Sequence, residues 1–419
     1  VNALHLLATA SEGHDSDAIP AVLLALAFAI VCAKLVGELF LRLGQPAVLG
    51  ELLVGVVAGN AALFGGPDLA ALASGETLTV LAELGAVLLL FHVGLESTPR
   101  EMMAVGGRAA LVAVVGVVTP MFLGFGVGEL MRPAESWMLH AFLGAMLAAT
   151  SVGITARVLK DSDALRKPFA RIILGAAVID DVLGLVVLAV VSGIIRAASA
   201  GTALSAASLA AIVAKAVVFL VGALLIGSLL SPRLFRGALA LRSRGVVLAL
   251  SLGLCFLLSY LALRAGLAPI VGAFAAGLVL EEVHFEDHVK RGEPPLHESL
   301  EPLIALLVPV FFIRMGMLVD VRSFASASVL GFAAVLTLAA ILGKLACGLA
   351  APAGMSKLTV GLGMLPRGEV GLIFAGIGAK LVLDGRPVVD AGTYAAAVFM
   401  VVATTMLTPP LLLWSMKRG

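Results

Sequence analysis

Charge is what this sequence has least of. Of 419 residues, 13% are Asp, Glu, Lys or Arg, and 28 basic residues nearly cancel 27 acidic ones to leave a net charge of +1. Soluble domains carry about twice that share of charge, so a soluble enzyme is excluded. The near-neutral balance, with no basic stripe interleaved with aromatics, also excludes nucleic acid as a partner. Cysteine is scarce: Cys32, Cys255 and Cys347 each sit inside an apolar run. There they read as small hydrophobes, which excludes a disulfide framework or a zinc site. No loop is long enough to form a soluble domain, the longest running from Glu281 to Glu301.

What the chain has instead is apolar surface, 61% of its residues, with a mean hydropathy of +1.11. Lipid admits only helices or closed barrels, and the runs here are continuous instead of alternating, so they predict membrane-spanning helices. Charged and turn-rich breaks divide them into 20–42, 46–64, 78–96, 107–131, 138–156, 172–195, 209–231, 245–263, 267–281, 301–319, 328–351, 358–380 and 391–416. An odd number of spans, thirteen, puts the termini on opposite sides. Seventeen Lys and Arg residues fall in loops on one side, against Arg132, Arg196, Arg264, Arg322 and Arg386 on the other. The positive-inside rule then makes 1–19 an external segment, 20–416 the transmembrane domain and 417–419 a cytoplasmic end. Six spans precede 209–231 and six follow it, which gives the outer sets opposite topology, a hallmark of secondary transporters.

Six basic residues remain within spans: Lys34, Lys215, Arg314, Lys344, Arg367 and Lys380. A charge at the centre of a span is costly and is a functional suspect by default. Lys34 is placed to pair with Glu38 on one helix face. Lys215 and Lys380, near helix ends, can snorkel. Lys344 has no such escape. The sharpest acidic feature is GAAVIDDVLGLVVLAVV, which sets Asp180 and Asp181 in mid-span, about 100° apart around the helix. Two close carboxylates cannot both ionise cheaply in a low dielectric, so their titrations are coupled, as a proton-for-cation exchange site requires.

Two spans are interrupted at depth. MLAATSVGITARVL carries Thr150, Ser151, Gly153 and Thr155, and VGLGMLPRGEVGLIFAG carries Pro366, Arg367, Gly368 and Glu369. Each is the fifth span of its set of six, the correspondence an inverted repeat predicts for broken helices around an ion site.

At these residues the chain resembles the monovalent cation:proton antiporter superfamily, in its Kef-like and NapA-like sodium/proton exchanger branch. The resembling stretches are GQPAVLGELLVGVVAG (44–59), ELGAVLLLFHVGLE (83–96), ATSVGITARVLKD (149–161), GAAVIDDVLGLVVLAVV (175–191), VPVFFIRMGM (308–317) and LPRGEVGLIFAG (365–376). The resemblance implies an all-α polytopic fold of thirteen transmembrane helices, with inverted-topology repeats and two crossed broken helices. It implies core ion-binding helices at roughly 107–195 and 328–416, dimerisation helices at roughly 20–64 and 209–319, a homodimer, and elevator-like alternating access in the cell (inner) membrane. By the same resemblance Asp181 binds Na⁺ or a proton, and Asp180 pairs with Lys344. Thr150 and Ser151 then supply metal-ligand oxygens, and Glu369 is the acidic residue of the second broken helix. The implied activity is electrogenic exchange of Na⁺ or Li⁺ for H⁺, with no cofactor and with membrane lipid as surroundings.

His92, in place of an aliphatic residue, and Arg314 depart from the family pattern. His284, His288 and His297 lie in the acidic loop, where they read as a solvated linker. K⁺/H⁺ exchange or Kef-like K⁺ efflux is the alternative activity, followed by sodium-coupled solute symport. A channel lacks a filter motif here. An intramembrane aspartyl protease would need its aspartates on separate helices.

Overall fold

The computed structural model describes residues 18–65, 75–96, 106–164, 167–201, 206–239, 245–280 and 294–418, with residues 69 and 73. The described chain is almost wholly helical. In order the helices are α1 (Ala18–Arg42), α2 (Ala47–Gly59), α3 (Glu76–Glu96), α4 (Gly106–Met131), α5 (Trp137–Ala148), α6 (Val152–Asp161), α7 (Pro168–Ser199) and α8 (Ala206–Leu239). They continue as α9 (Val246–Arg264), α10 (Pro269–Val279), α11 (Leu296–Met317), α12 (Ala327–Cys347), α13 (Lys357–Gly363), α14 (Gly368–Lys380) and α15 (Ala391–Arg418). Every stretch read as a span contains helix, and eight of the described helices are long and apolar enough to cross a membrane.

The helices overrun the apolar runs that located them. α7 covers 32 residues where the hydropathy gave 172–195, because Pro168 is suited to the first turn and Arg171 and Arg196 sit within the helix. Hydropathy stops at a charge; a helix need not. Among the described residues the all-helical expectation is corrected at one place, a hairpin of two-residue strands pairing Val382–Leu383 with Arg386–Pro387. Its tip, Asp384-Gly385, has positive φ at both residues, the conformation a tight two-residue turn demands.

Contacts divide the chain into two compact units. One comprises Val1–Lys34, Ala61–Pro99 and Ala206–Arg314. Its centre is α10, eleven residues with no polar face and every residue from Ile270 to Val279 buried. Glycines let backbones touch around it: a β-carbon on Gly94 would run into the carbonyl of Phe274, and one on Gly277 into that of Phe91.

The second unit comprises Leu35–Asn60, Arg100–Ser205 and Met315–Gly419. Its core joins Ala109, Val112 and Ala113 of α4 to Ile173, Ala176 and Ala177 of α7, Cys347 of α12 and Val360 of α13. α4 and α5 cross where Gly124 meets Gly144, a β-carbon on the former lying 2.7 Å from the latter's Cα. α4 and α12 meet where a β-carbon on Gly343 would lie 2.8 Å from the Cα of Pro120. At one end of the unit Asp390 caps α15, accepting the Thr393 amide at 2.7 Å and the Arg132 guanidinium at 3.0 Å. Arg132 also lies over the Phe332 ring, so one arginine ties the ends of α4, α12 and α15 together.

Candidate functional site

Both interrupted spans are broken in the structure, within the second unit. The Ser136 hydroxyl caps α5, accepting the Met138 amide; the helix stops at Ala148, and Ala149, Thr150 and Ser151 lie outside it before α6 resumes at Val152. In the other, α13 ends at Gly363 and α14 begins at Gly368. Pro366 has no amide hydrogen to continue α13 and steers Leu365 away from helix.

The two breaks are joined by hydrogen bonds. The Ser151 amide donates to the Pro366 carbonyl at 2.8 Å, and the Thr155 hydroxyl to the Gly363 carbonyl at 2.6 Å. The Arg367 guanidinium, fully buried, donates to the Ala149 carbonyl at the end of α5 and to the Ala340 carbonyl of α12 at 3.2 Å. Carbonyls orphaned by two helix ends thus find donors, and a fixed cation sits at the negative end of α5. The Gly368 amide, at the start of α14, donates to the Thr405 hydroxyl of α15 at 3.3 Å. Gly368 has φ +36°, and a β-carbon there would collide with the Ser151 side chain, so the position is restricted to glycine on two counts.

α7 passes this junction. A β-carbon on Gly184 would touch the Cα of Ala149 at 4.0 Å, and the acidic pair lies one turn earlier. Asp180 is fully buried; its Oδ1 accepts from the Lys344 ammonium at 2.8 Å, and Lys344 is fully buried too. Asp180 Oδ2 has no hydrogen-bond partner. Asp181 keeps 9% of its surface. Thr150 is 1% exposed and its hydroxyl is also without a partner. The arrangement is therefore a neutralised buried ion pair, a second carboxylate beside it, and buried hydroxyl and carbonyl oxygens at two helix breaks. Such oxygens suit a hard cation, and a carboxylate among them can take a proton instead.

One unit thus contains Asp180, Asp181, Lys344, Thr150 and Ser151. Glu369 lies in the first turn of α14, and its side chain is outside those described. Other sequence candidates fall elsewhere. Lys34, Lys215 and Lys380 are exposed, and Glu38 pairs not with Lys34 but with Arg42, one turn along at 3.0 Å. Arg314 donates to the Ala73 carbonyl at 2.9 Å, a packing role. His92 lies in α3 and His297 at the start of α11, while His284 and His288 are outside the described residues. The sequence offered Thr155 as one of several oxygens at the first break and Arg367 as a charge beside the proline kink; the hydrogen bonds above make both of them ties between the breaks. The signal available for Arg367 was a basic residue at mid-span with no apolar route to either end.

Comparisons with known proteins give the family and the fold. Residues 20–414 match the family described as sodium/hydrogen exchanger, transmembrane. The chain is 39% identical to the high-affinity Na⁺/H⁺ antiporter NhaS3 of Synechocystis over 97% of its own length and 92% of the relative's. It is 34% identical to the Na⁺/H⁺-K⁺ antiporter GerN of Bacillus cereus, over 92% and 94% of the two chains. Its fold is similar to the structure of the sodium proton antiporter MjNhaP1 from Methanocaldococcus jannaschii, with a TM-score of 0.73, 19% identity and coverage of 94% and 97%. The chain is an integral membrane protein and belongs to the transmembrane sodium/hydrogen exchanger family, whose members are transporters and not enzymes.

Proposed function

We propose that this protein exchanges Na⁺ for H⁺, with protons and the cation competing for Asp181. The observation that carries the reading is the 2.8 Å bond between Lys344 and Asp180, both fully buried. It commits one carboxylate of the adjacent pair to a fixed partner, and Asp181, which keeps 9% of its surface beside the break, is the carboxylate assigned to cargo. Na⁺ displaces the proton from Asp181 on one side and is coordinated by the carboxylate with oxygens of Thr150 and Ser151. Glu369, in the first turn of α14, adds negative charge near the break. The loaded unit moves across, and protonation from the other side releases the cation.

The remaining parts of the proposal follow from the sequence. All thirteen spans cross the bilayer as inverted repeats with the two broken helices crossed, the amino terminus outside and the carboxyl terminus in the cytoplasm. The site-bearing helices 107–195 and 328–416 move as an elevator against helices 20–64 and 209–319, which hold a homodimer in the cell membrane and serve pH homeostasis. If Lys344 gives up its proton as the site loads, two protons exchange for one Na⁺, and one net charge crosses per cycle, about 2.3 kcal/mol per 100 mV. K⁺/H⁺ exchange is the second reading, favoured by the likeness to a Na⁺/H⁺-K⁺ antiporter.

Proteoliposomes with a trapped pH dye test both. With an imposed proton gradient, added Na⁺ or Li⁺ is expected to move protons, choline is not, and a potassium-valinomycin clamp is expected to change the rate. A response to K⁺ alone selects the second reading. No proton movement with any cation, with organic-solute uptake driven by sodium, overturns both in favour of symport.

A further inference from the structure

Proline 120 interrupts α4 one turn after Gly116. A helix carbonyl normally accepts the amide four residues on, and proline has none to give, so the Gly116 carbonyl lacks its helix donor. Gly116 itself lies against the buried ion pair. A β-carbon on Gly116 would lie 3.6 Å from Lys344 Nζ, 3.5 Å from Asp180 Oδ1 and 3.5 Å from Cys347 Cβ. One turn along, Pro120 packs against Gly343, the residue before Lys344. α4 therefore sets the residue whose carbonyl lacks its helix donor directly against the buried ion pair.

The lysine has a matching deficiency. An ammonium carries three donors, and one of them is engaged, by Asp180 Oδ1. Whenever Asp180 is drawn to another partner, fully buried Lys344 is out of reach of bulk solvent, and a buried polar group left without a partner is costly. We propose that the Gly116 carbonyl, freed by Pro120, is the second seat of Lys344: the lysine head group swings onto it when Asp180 is engaged elsewhere during the cycle. Gly116 and Pro120 are thus positioning residues for the exchange site. Gly116 has no side chain to block the swing, and Pro120 keeps the acceptor open. This inference rests on the exchange reading above and deepens it, since it names what holds the lysine when the pair opens.

The test restores the amide. Pro120→Ala and Pro120→Gly both give the Gly116 carbonyl back its helix donor but differ widely in helix propensity. Both are expected to slow cation-driven proton movement about tenfold and to displace its pH profile, with Pro120→Ala melting at or above the wild-type temperature. Pro302→Ala returns the same kind of bond at an exposed position of α11 and is expected to keep the wild-type rate and profile. Wild-type rate and pH profile in both Pro120 variants would overturn the second seat. So would an effect confined to Pro120→Gly, which marks a purely structural role. Wild type and Asp181→Asn are run in the same liposomes: an inactive wild type defeats the exchange reading, whereas an active wild type with an inactive Asp181→Asn leaves the decision to the Pro120 variants.

Discussion

Asp180 and Lys344 are both fully buried, so neither can be changed alone without stranding a charge in the interior. Removing one member of such a pair costs about 3–5 kcal/mol. Lys344→Gln and Asp180→Asn are therefore each expected to lower the melting temperature of detergent-solubilised protein sharply, and the double variant is expected to regain much of the loss. Additive losses in the double variant would contradict the pairing. The two aspartates were visible in the sequence as adjacent acids in an apolar run, and Lys344 as a lysine with no route to either end of its span. Which aspartate takes the lysine was not readable from the residues themselves: neighbours about 100° apart on a helix face different elements, and only the packing of α4, α7 and α12 decides between them. The resemblance assigned it to Asp180, and the 2.8 Å contact places it there.

At the scale of elements, the junction of the two breaks depends on Gly368. Its positive φ and the Ser151 side chain in its path make Gly368→Ala expected to cost at least about 2 kcal/mol and to lower exchange, measured as melting temperature and dye response in the same preparation. The far end of the unit gives a pH test. Burial opposes the charge on Asp390, but the Thr393 hydrogen bonds and the Arg132 guanidinium outweigh it and hold the carboxyl below its ordinary value. A depressed folded value means that this contribution is present above the unfolded carboxylate value of about 3.9 and is lost as pH falls through the folded one. The difference in melting temperature between wild type and Asp390→Asn is expected to be steady from pH 7 to about pH 5 and to shrink below about pH 4. An unchanged difference at pH 3 would contradict it. The breaks were legible as Thr-Ser and Pro-Arg-Gly in apolar spans, and the Asp-Gly turn passed unnoticed because two-residue strands leave no periodicity. The joining of the breaks was not legible either, since the bonds between Ser151 and Pro366 and between Thr155 and Gly363 link residues more than 200 positions apart.

On the scale of the whole molecule, composition alone set the class. A chain so short of charge can place its apolar residues only against lipid or against itself, and α8 and α10 represent the two outcomes. α8 leaves Val218, Leu225, Ile226 and Leu229 at least 60% exposed, whereas α10 is buried from Ile270 to Val279. The division into compact units was legible only in outline. Residues 35–60 cluster with the site-bearing unit although 20–64 reads as one dimerisation stretch, because contacts such as Asn60 with the Val319 carbonyl at 2.7 Å leave no trace in hydropathy. The measurement that bears most directly on the account is cation-driven proton movement by Asp181→Asn beside wild type, reconstituted at equal density, with melting temperatures recorded for both. The variant keeps Asp180 and Lys344, so it is expected to stay folded while exchange falls to the level of empty liposomes with every cation. Wild-type exchange by a folded Asp181→Asn would place the cargo site elsewhere and contradict the account.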